Sequence, residues 1–350
     1  ELSEPVRLFR LLGESRGSVD WVERWKQVEA TTPVEPTDPE IEQEGDGDDR
    51  SGREAFLPSS SRRPHPASAP KQALTLLRRR ALLFFRDRGF LFLTAAITIG
   101  FPLLVVIFAL DGIPQLSRMS MDKGLGMIAN LQGQIAFTKE AADLGSLVSS
   151  LILFQVVLLT LTGSNNGARE IAPEGDLFLQ ETLRGLKGGP YCLEKIVFTG
   201  AVAVVQGVAM TLIVNSVVNF PGSLWIQALT LILVSLALSW LALGFSAWMK
   251  SGEKASLLAV YVVGFQLPLS GIVLTLPGPF NEWVRMVITT YWGWASYLGS
   301  FRETGLYDAA AMVTNESVPP VGLSLLILGI HAAAAVLLVL SGVAHKRGGD

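Results

Sequence analysis

Apolar segments long enough to cross a lipid bilayer recur along the chain from residue 89 onward. A membrane-spanning helix needs about 20 predominantly apolar residues, because the hydrocarbon core is about 30 Å thick and a helix rises about 1.5 Å per residue. The sequence therefore predicts an all-α integral membrane protein with six transmembrane helices. These spans are placed at residues 89–110, 144–163, 194–219, 223–248, 255–276 and 321–343.

The first 70 residues contain no such apolar segment and divide into two parts. Residues 1–30 are predicted to form a soluble helical segment. Residues 31–70 begin with an acidic, proline-punctuated run and continue as a stretch rich in Ser, Pro and Arg, which is typical of a disordered linker. Residues 71–350 are then the membrane domain. The chain opens on Glu1 and shows no signal-peptide pattern.

A basic amphipathic helix is predicted directly before the first span, in residues 71–88. Its apolar side chains fall at helical spacing and alternate with arginines, so we expect it to lie among anionic headgroups in the plane of the membrane. The apolar positions are Leu74, Leu77, Ala81 and Phe84. An ordinary basic flank of the first span is the alternative.

The distribution of Lys and Arg near the span ends predicts the orientation of the chain. These residues concentrate before span one, between spans two and three, between spans four and five, and after span six. Because cytoplasmic loops carry the excess of positive charge, both termini are predicted to be cytoplasmic. Glu194 and Lys195, at the inner end of span three, are interpreted as snorkelling charges.

The loop between the last two spans, residues 277–320, is long and aromatic. Rings of this kind favour the membrane–water boundary, and we expect residues 280–300 to form one or two short re-entrant helices in the outer leaflet. The rings concerned are Trp283, Tyr291, Trp292 and Trp294.

The loop between spans two and three has the features of a helix. Pro173 suits a first helical position, and Glu174 and Asp176 complement the helix dipole in the first turn. The Gly188-Gly189-Pro190 run is expected to end this helix. A short amphipathic helix is therefore predicted on the cytoplasmic side, where it can transmit a push from a partner to both adjoining spans.

The residues of this loop resemble the coupling-helix region of G-type ABC exporters, whose bacterial relatives are the type-2 permeases. The matching positions are Arg169, Glu170, Glu174, Phe178, Glu181, Arg184, Gly185, Leu186, Tyr191 and Lys195. The in-plane helix before span one and the Pro268-Leu269-Ser270-Gly271 end of span five agree with that family. The resemblance covers about residues 70–345. The chain departs from it at Gly175, Asp176 and Gln180, where members usually carry basic residues.

The resemblance implies one half of an ATP-driven exporter that moves a lipid-like or amphipathic substrate by alternating access. It assigns contact with the ATPase to Arg169, Glu170, Glu174, Phe178, Glu181 and Arg184. It assigns the substrate cavity to Phe154, Gln155, Phe265, Gln266 and Ser270, for which helix packing is the alternative role. Residues 1–30 resemble the end of the family's ATPase domain, which would then lie upstream of the membrane domain.

The implied partners are an ABC ATPase domain, fused upstream or on a separate chain, a second permease copy in a homodimer, and membrane lipids, but no nucleic acid. The implied location is the bacterial inner (plasma) membrane. No G-x-x-x-x-G-K-[ST] loop occurs in the 350 residues. The chain is therefore predicted to be a translocase component without ATPase motifs, and ATP and Mg²⁺ are expected on the partner or upstream domain.

No catalytic or metal site is predicted. Cys192 is the single cysteine, which excludes an internal disulfide and a cysteine-based metal site. His331 lies inside span six, where we expect a neutral imidazole hydrogen-bonded to another helix rather than a titrating group.

Two other functions fit part of the pattern. A type-2 permease for polysaccharide or another polar cargo would carry aromatic and charged residues in its cavity. An energy-independent membrane scaffold or sensor would suit the acidic linker, but it leaves the helix between spans two and three unexplained.

Overall fold

The computed structural model describes residues 68–110, 131–272, 278–314 and 318–348. These residues are helical throughout and contain no strand. The predictions for residues 1–30 and 31–67 lie outside the described ranges. The α-helices are α1 (Ala69–Arg86), α2 (Arg88–Ala109), α3 (Leu131–Ala168), α4 (Gly175–Leu183), α5 (Gly188–Val218), α6 (Leu224–Trp248), α7 (Gly252–Gln266), α8 (Gly278–Val287), α9 (Thr289–Gly299), α10 (Gly305–Thr314) and α11 (Val321–Gly348).

Five helices of the described residues are long and apolar enough to cross a membrane. They are α2, α3, α5, α6 and α11, and they confirm five of the six predicted spans. The sixth, predicted at residues 255–276, coincides with α7, which has 15 residues and a length of about 22 Å. It ends early because Pro268 cannot donate a helical hydrogen bond and Gly271 turns the chain at φ +74°.

The helix predicted before the first span is α1, and it begins with Pro70 in its first turn. Asp87 separates it from α2 and accepts a hydrogen bond from the Phe90 amide at 3.0 Å, which caps the second helix. Ala73 and Leu76 face the protein, whereas Leu74 and Phe85 stay exposed. An exposed apolar face on a basic helix is what an in-plane helix presents to lipid.

Close packing of α3 against α6 forms the centre of the bundle. Gly163 and Gly167 lie on the contact face, and a Cβ on Gly167 would stand only 2.0 Å from the Ser239 carbonyl oxygen. Two small residues four positions apart allow such an approach between membrane helices. The spacing of the two glycines is visible in the sequence but was not among the predicted features.

The re-entrant region consists of two short helices, α8 and α9. Every residue of α9 is buried, because this helix inserts between α3, α6 and α11. The rings of Tyr291, Trp292 and Trp294, which were predicted at the membrane–water boundary, are therefore enclosed by protein. Trp283 of α8, with 74% of its surface exposed, is the ring that remains outside.

Candidate functional site

Residues 169–187 connect α3 to α5 and contain a 3₁₀ helix, Ala172–Glu174, followed by α4. We name them the coupling segment, after the role that the sequence predicts for them. Helix α4 ends at Leu183, earlier than predicted, because Gly185 adopts a positive φ of 103° that reverses the chain. The Gly188-Gly189-Pro190 run opens α5 instead of ending α4. Proline is compatible with this position, since amides in the first turn have no helical acceptor.

The start of the coupling segment is attached to α6 and α7. The buried Ser246 hydroxyl of α6 accepts hydrogen bonds from the amides of Ile171, at 3.0 Å, and Ala172, at 2.9 Å. These amides begin the 3₁₀ helix and would otherwise lack acceptors. Arg169 donates from Nε to the Ser256 hydroxyl of α7 at 3.1 Å.

A buried lysine joins the coupling segment to α5. The Lys195 ammonium lies 2.7 Å from a Glu174 oxygen, 3.5 Å from a Glu170 oxygen and 4.0 Å from a Glu194 oxygen. Lys195 is 1% exposed and Glu194 is 4% exposed. The interpretation of these two residues as snorkelling charges is therefore wrong, because a buried ammonium requires the carboxylates that surround it.

Helix α1 contributes the second cation. Arg80 forms an ion pair with Glu170 and lies 4.0 Å from Glu174. Its guanidinium also stands over the Phe198 ring of α5, 5.1 Å from the centroid. We name Arg80, Glu170, Glu174, Glu194 and Lys195 the charge cluster. It connects α1, the coupling segment and α5.

Two further contacts fasten α1 to the coupling segment at its surface. Arg79 pairs with Glu181 at 2.7 Å, and this hydrogen bond raises the pKa of the Arg79 guanidinium. The Gln72 side chain donates to the Gly185 carbonyl and accepts from the Lys187 amide, at 3.3 and 3.2 Å. Two arginines expected to meet lipid headgroups are therefore engaged by protein carboxylates.

The predicted ATPase-contact residues divide between the two sides of the coupling segment. Glu170 is 7% exposed and Phe178 is 2% exposed, with the Phe178 ring 4.5 Å from that of Tyr191. These side chains face the membrane domain and are not available to a partner. Glu174 and Glu181 are partly exposed within their ion pairs, and Arg169 and Arg184 are exposed.

The surface that α4 offers to a partner consists largely of residues that the prediction did not select. Leu183 is 90% exposed, and Leu177 and Leu179 are also exposed. Asp176 and Gln180 lie beside them. The sequence would have indicated this exposed face if Phe178 had been assigned to the buried side of α4, because the exposed residues lie at the helical positions away from it.

The predicted cavity residues also divide. Phe154 is half-buried with its ring against Phe108 at 5.5 Å, and Phe265 is 59% exposed. Gln155, Gln266 and Ser270 are buried. The side-chain oxygen Oε1 of Gln266 accepts hydrogen bonds from both the backbone amide and the hydroxyl of Thr290 at 3.1 Å, which caps the start of α9.

The Ser270 hydroxyl has a local role, since it donates to the Leu267 carbonyl at 2.7 Å. The two aromatics belong instead to stripes on neighbouring helices, one on α3 that is partly exposed and one on α7 that is exposed. We name these stripes together the α3–α7 face. Its members are Ser150, Phe154, Val157 and Leu161 of α3 and Leu257, Val260, Tyr261 and Phe265 of α7.

His331 of α11 bonds to the junction between α8 and α9, which confirms the expected contact across helices. Its Nε2 lies 2.8 Å from the Met286 carbonyl oxygen, and its Nδ1 lies 3.1 Å from the Thr289 hydroxyl. Because a carbonyl only accepts, Nε2 carries the proton, and Nδ1 of the neutral ring accepts from the hydroxyl.

Comparison with known proteins agrees with this architecture. A sequence model of the family described as ABC-2 type transporter matches residues 71–301. The matched range runs from α1 through α9 and includes the whole coupling segment. No curated protein matches the chain significantly. Among the described residues, no group of three His, Cys, Asp or Glu side chains is arranged to hold a metal ion.

Proposed function

The chain belongs to the ABC-2 type transporter family and is an integral membrane permease component of an ABC transporter, and from that premise we propose that it is one half of an ATP-driven exporter for a lipid-like or amphipathic substrate. The proposal rests on the contacts of the coupling segment. Its inner side is attached to α1, α5 and α6, while its outer side leaves α4 exposed. A segment with one anchored and one free side can pass a partner's movement to several spans.

The partner in this proposal is an ABC ATPase domain, either fused upstream or on a separate chain, which binds ATP and Mg²⁺. It contacts the exposed leucines of α4, with Leu183 at the centre. Movement of α4 reaches α5 and α1 through the charge cluster, and it reaches α6 through Ser246. In this proposal both termini lie on the cytoplasmic side of a bacterial inner membrane, which the distribution of Lys and Arg near the span ends supports.

The α3–α7 face supports the substrate class. It is mainly apolar and presents Phe154, Tyr261 and Phe265 at its surface. We assign this face to a pathway between two identical copies, in which aromatic rings and aliphatic side chains contact the substrate. The charge-free composition of the face favours an amphiphile over a polysaccharide, whose hydroxyls would need polar partners.

Co-purification with the native complex tests the coupling role. The full-length protein, isolated in mild detergent, is expected to carry an ABC ATPase. Leu183→Asp is expected to release an ATPase on a separate chain, or to abolish substrate-stimulated ATP hydrolysis where the ATPase is fused upstream. Met312→Asp is the matched control, because Met312 is also exposed, at 70%, but lies on α10. Helix α10 contacts Gly145 of α3, far from the end of α3 that enters the coupling segment.

The proposal fails if the wild-type protein carries no ATPase, and the scaffold function would then replace it. It also fails if Leu183→Asp retains a separate ATPase, or the stimulated hydrolysis of a fused one, as well as Met312→Asp does. Stimulation of ATP hydrolysis in proteoliposomes tests the substrate class. Lipids and amphiphiles are expected to stimulate, and stimulation by oligosaccharides alone would favour the permease for polar cargo.

A further inference from the structure

Within the part of the chain that the structure describes, the charge cluster contains more carboxylates than cations. Glu170, Glu174 and Glu194 face two cations, Arg80 and Lys195. The neighbouring Arg79–Glu181 pair is balanced by itself. A buried charge without a partner is strongly unfavourable, so a cluster with one excess carboxylate needs a further positive charge.

The three carboxylates differ in the cations and hydrogen-bond donors that contact them. Glu170 is bonded to Arg80 and also lies near Lys195. Glu174 has Lys195 at 2.7 Å and the Tyr191 hydroxyl at 3.5 Å, and its side chain is 31% exposed. Both carboxylates therefore have a cation in direct contact.

Of the three carboxylates, the negative charge of Glu194 has the weakest interaction with a cation. Its nearest cation is Lys195 at 4.0 Å, and that ammonium is already closer to Glu174. Among the described residues the buried Oε1 of Glu194 has no hydrogen-bond partner. The buried Oε2 of Glu170 also has none, but it lies 3.5 Å from the Lys195 ammonium. The other charges near Glu194 are Glu174, Glu170 and Arg80, with Arg79 beyond them. Burial together with two facing carboxylates favours the neutral acid.

We propose that Glu194 is a proton-binding site, and that its proton makes the charge cluster neutral. The proton comes from cytoplasmic water and adds to a carboxylate oxygen, so the cluster changes from one net negative charge to none. No other group is oxidised, reduced or transferred.

The proton has a consequence for coupling, and this part rests on the proposed function. Without it, the Glu194 carboxylate repels Glu170 and Glu174 and competes with them for Lys195. Both repelled residues belong to the coupling segment, whereas Glu194 belongs to α5. The attachment of the coupling segment to α5 therefore weakens as the cytoplasmic pH rises.

Infrared spectroscopy of the full-length protein in lipid nanodiscs tests the site without any transport assay. The wild-type protein is expected to show the carbonyl band of a protonated carboxyl group, which disappears on raising the pH. Glu194→Gln, which is close in size and permanently neutral, is expected to lack this band. Glu181→Gln, which changes a partly exposed carboxylate of a balanced pair, is expected to retain it. A band that is unchanged in Glu194→Gln overturns the proposal.

Thermal unfolding gives a second measurement. Because the folded protein binds a proton that the unfolded chain releases more readily, stability contributed by Glu194 is present at acidic pH and is lost as the pH rises. The wild-type Tm is expected to fall from mildly acidic to mildly alkaline pH, and Glu194→Gln is expected to reduce that fall while Glu181→Gln does not. Equal pH dependence in all three proteins contradicts the proposal.

The two proposals fail in different ways. In the reconstituted complex with its ATPase, substrate-stimulated hydrolysis is expected to decline at alkaline pH in the wild type and to change less in Glu194→Gln. A titrating band that is lost in Glu194→Gln, found in a protein that carries no ATPase, supports the proton site and overturns the exporter. Robust coupled transport without that band overturns the proton site alone.

Discussion

The two ends of this helical bundle are held together by different chemistry. At the end that carries the coupling segment, charged side chains of α1, the coupling segment and α5 meet in the charge cluster. At the opposite end, α9 is buried among the spans and its side-chain hydrogen bonds join neutral groups, while Arg285 and Arg302 contact the Tyr291 ring and the Val318 carbonyl. The Gln266–Thr290 contact, the His331 contacts and the bond from Trp294 to Ser149 are examples of the neutral hydrogen bonds.

This difference determines what each end can respond to. Ion pairs near the membrane surface change with ionic strength, with protonation and with the approach of a charged partner. Buried bonds between neutral groups are insensitive to these conditions, and breaking one leaves an unpaired polar group. The charged end is thus suited to receiving a signal and the neutral end to keeping a defined geometry. Four substitutions test this contrast, from the largest expected effect to the smallest.

Trp294→Ala is expected to have the largest effect on stability, because it leaves a cavity in the neutral end of the bundle. The Trp294 side chain is fully buried and donates to Ser149 at 3.1 Å. Removing a buried tryptophan costs about 3–5 kcal/mol of unfolding free energy. Thermal unfolding in detergent measures it, with the exposed Trp283→Ala as control. Equal destabilisation by the two variants would show that α9 is not part of the core.

Lys195→Met is expected to cost about 3 kcal/mol, because it leaves the carboxylates of the charge cluster without their central cation. The double variant Glu174→Gln/Lys195→Met is expected to recover part of the loss, since Glu174 is the closest partner. Denaturation of the single and double variants measures the coupling between the sites. A double variant whose loss equals the sum of the single losses would mean that the pair is not coupled.

Gln266→Leu is expected to cost about 1–3 kcal/mol, because the buried amide and hydroxyl of Thr290 both lose their acceptor. The loss should be independent of salt concentration. Phe265→Leu, at the adjacent exposed position, is the control and should leave the Tm nearly unchanged. A salt-dependent loss in Gln266→Leu would contradict the neutral character of this end.

Arg79→Gln is expected to have the smallest effect on stability, below about 1 kcal/mol, because the pair with Glu181 is largely exposed and is screened by ions. This substitution is informative because it tests how the Tm depends on salt concentration. High salt should lower the Tm of the wild-type protein slightly more than that of Arg79→Gln. An identical response in the two proteins would show that this surface pair contributes nothing measurable.

Much of the fold followed from local features of the sequence. The five long spans are confirmed because their length and apolarity are sufficient to identify them. The helix in the coupling segment was also predicted, from Pro173 and the acidic first turn. Its end was placed too late, because the conformation of Gly185 outweighed the more conspicuous Gly-Gly-Pro run that follows.

The candidate site was only partly predictable. Some of its residues were identified, but their directions were not, since Glu170 and Phe178 point inward. The exposed leucines of α4 were not selected, and Lys195 was given another role. Helical spacing shows which positions share a face, but it does not show which face meets a neighbour. That information requires the partner helix, here α5 with Tyr191 and Lys195.

The sequence by itself determined that this chain lies in a membrane, where its long spans run, and that a structured segment joins two of them, because apolar length and helix-capping residues act locally. Only the tertiary structure decided that the α9 aromatics pack inside the protein, and that Arg80, Glu170 and Lys195 meet. The physical reason is that burial and ion pairing depend on helices distant in the sequence. Their approach is set by packing, as at Gly167 against α6.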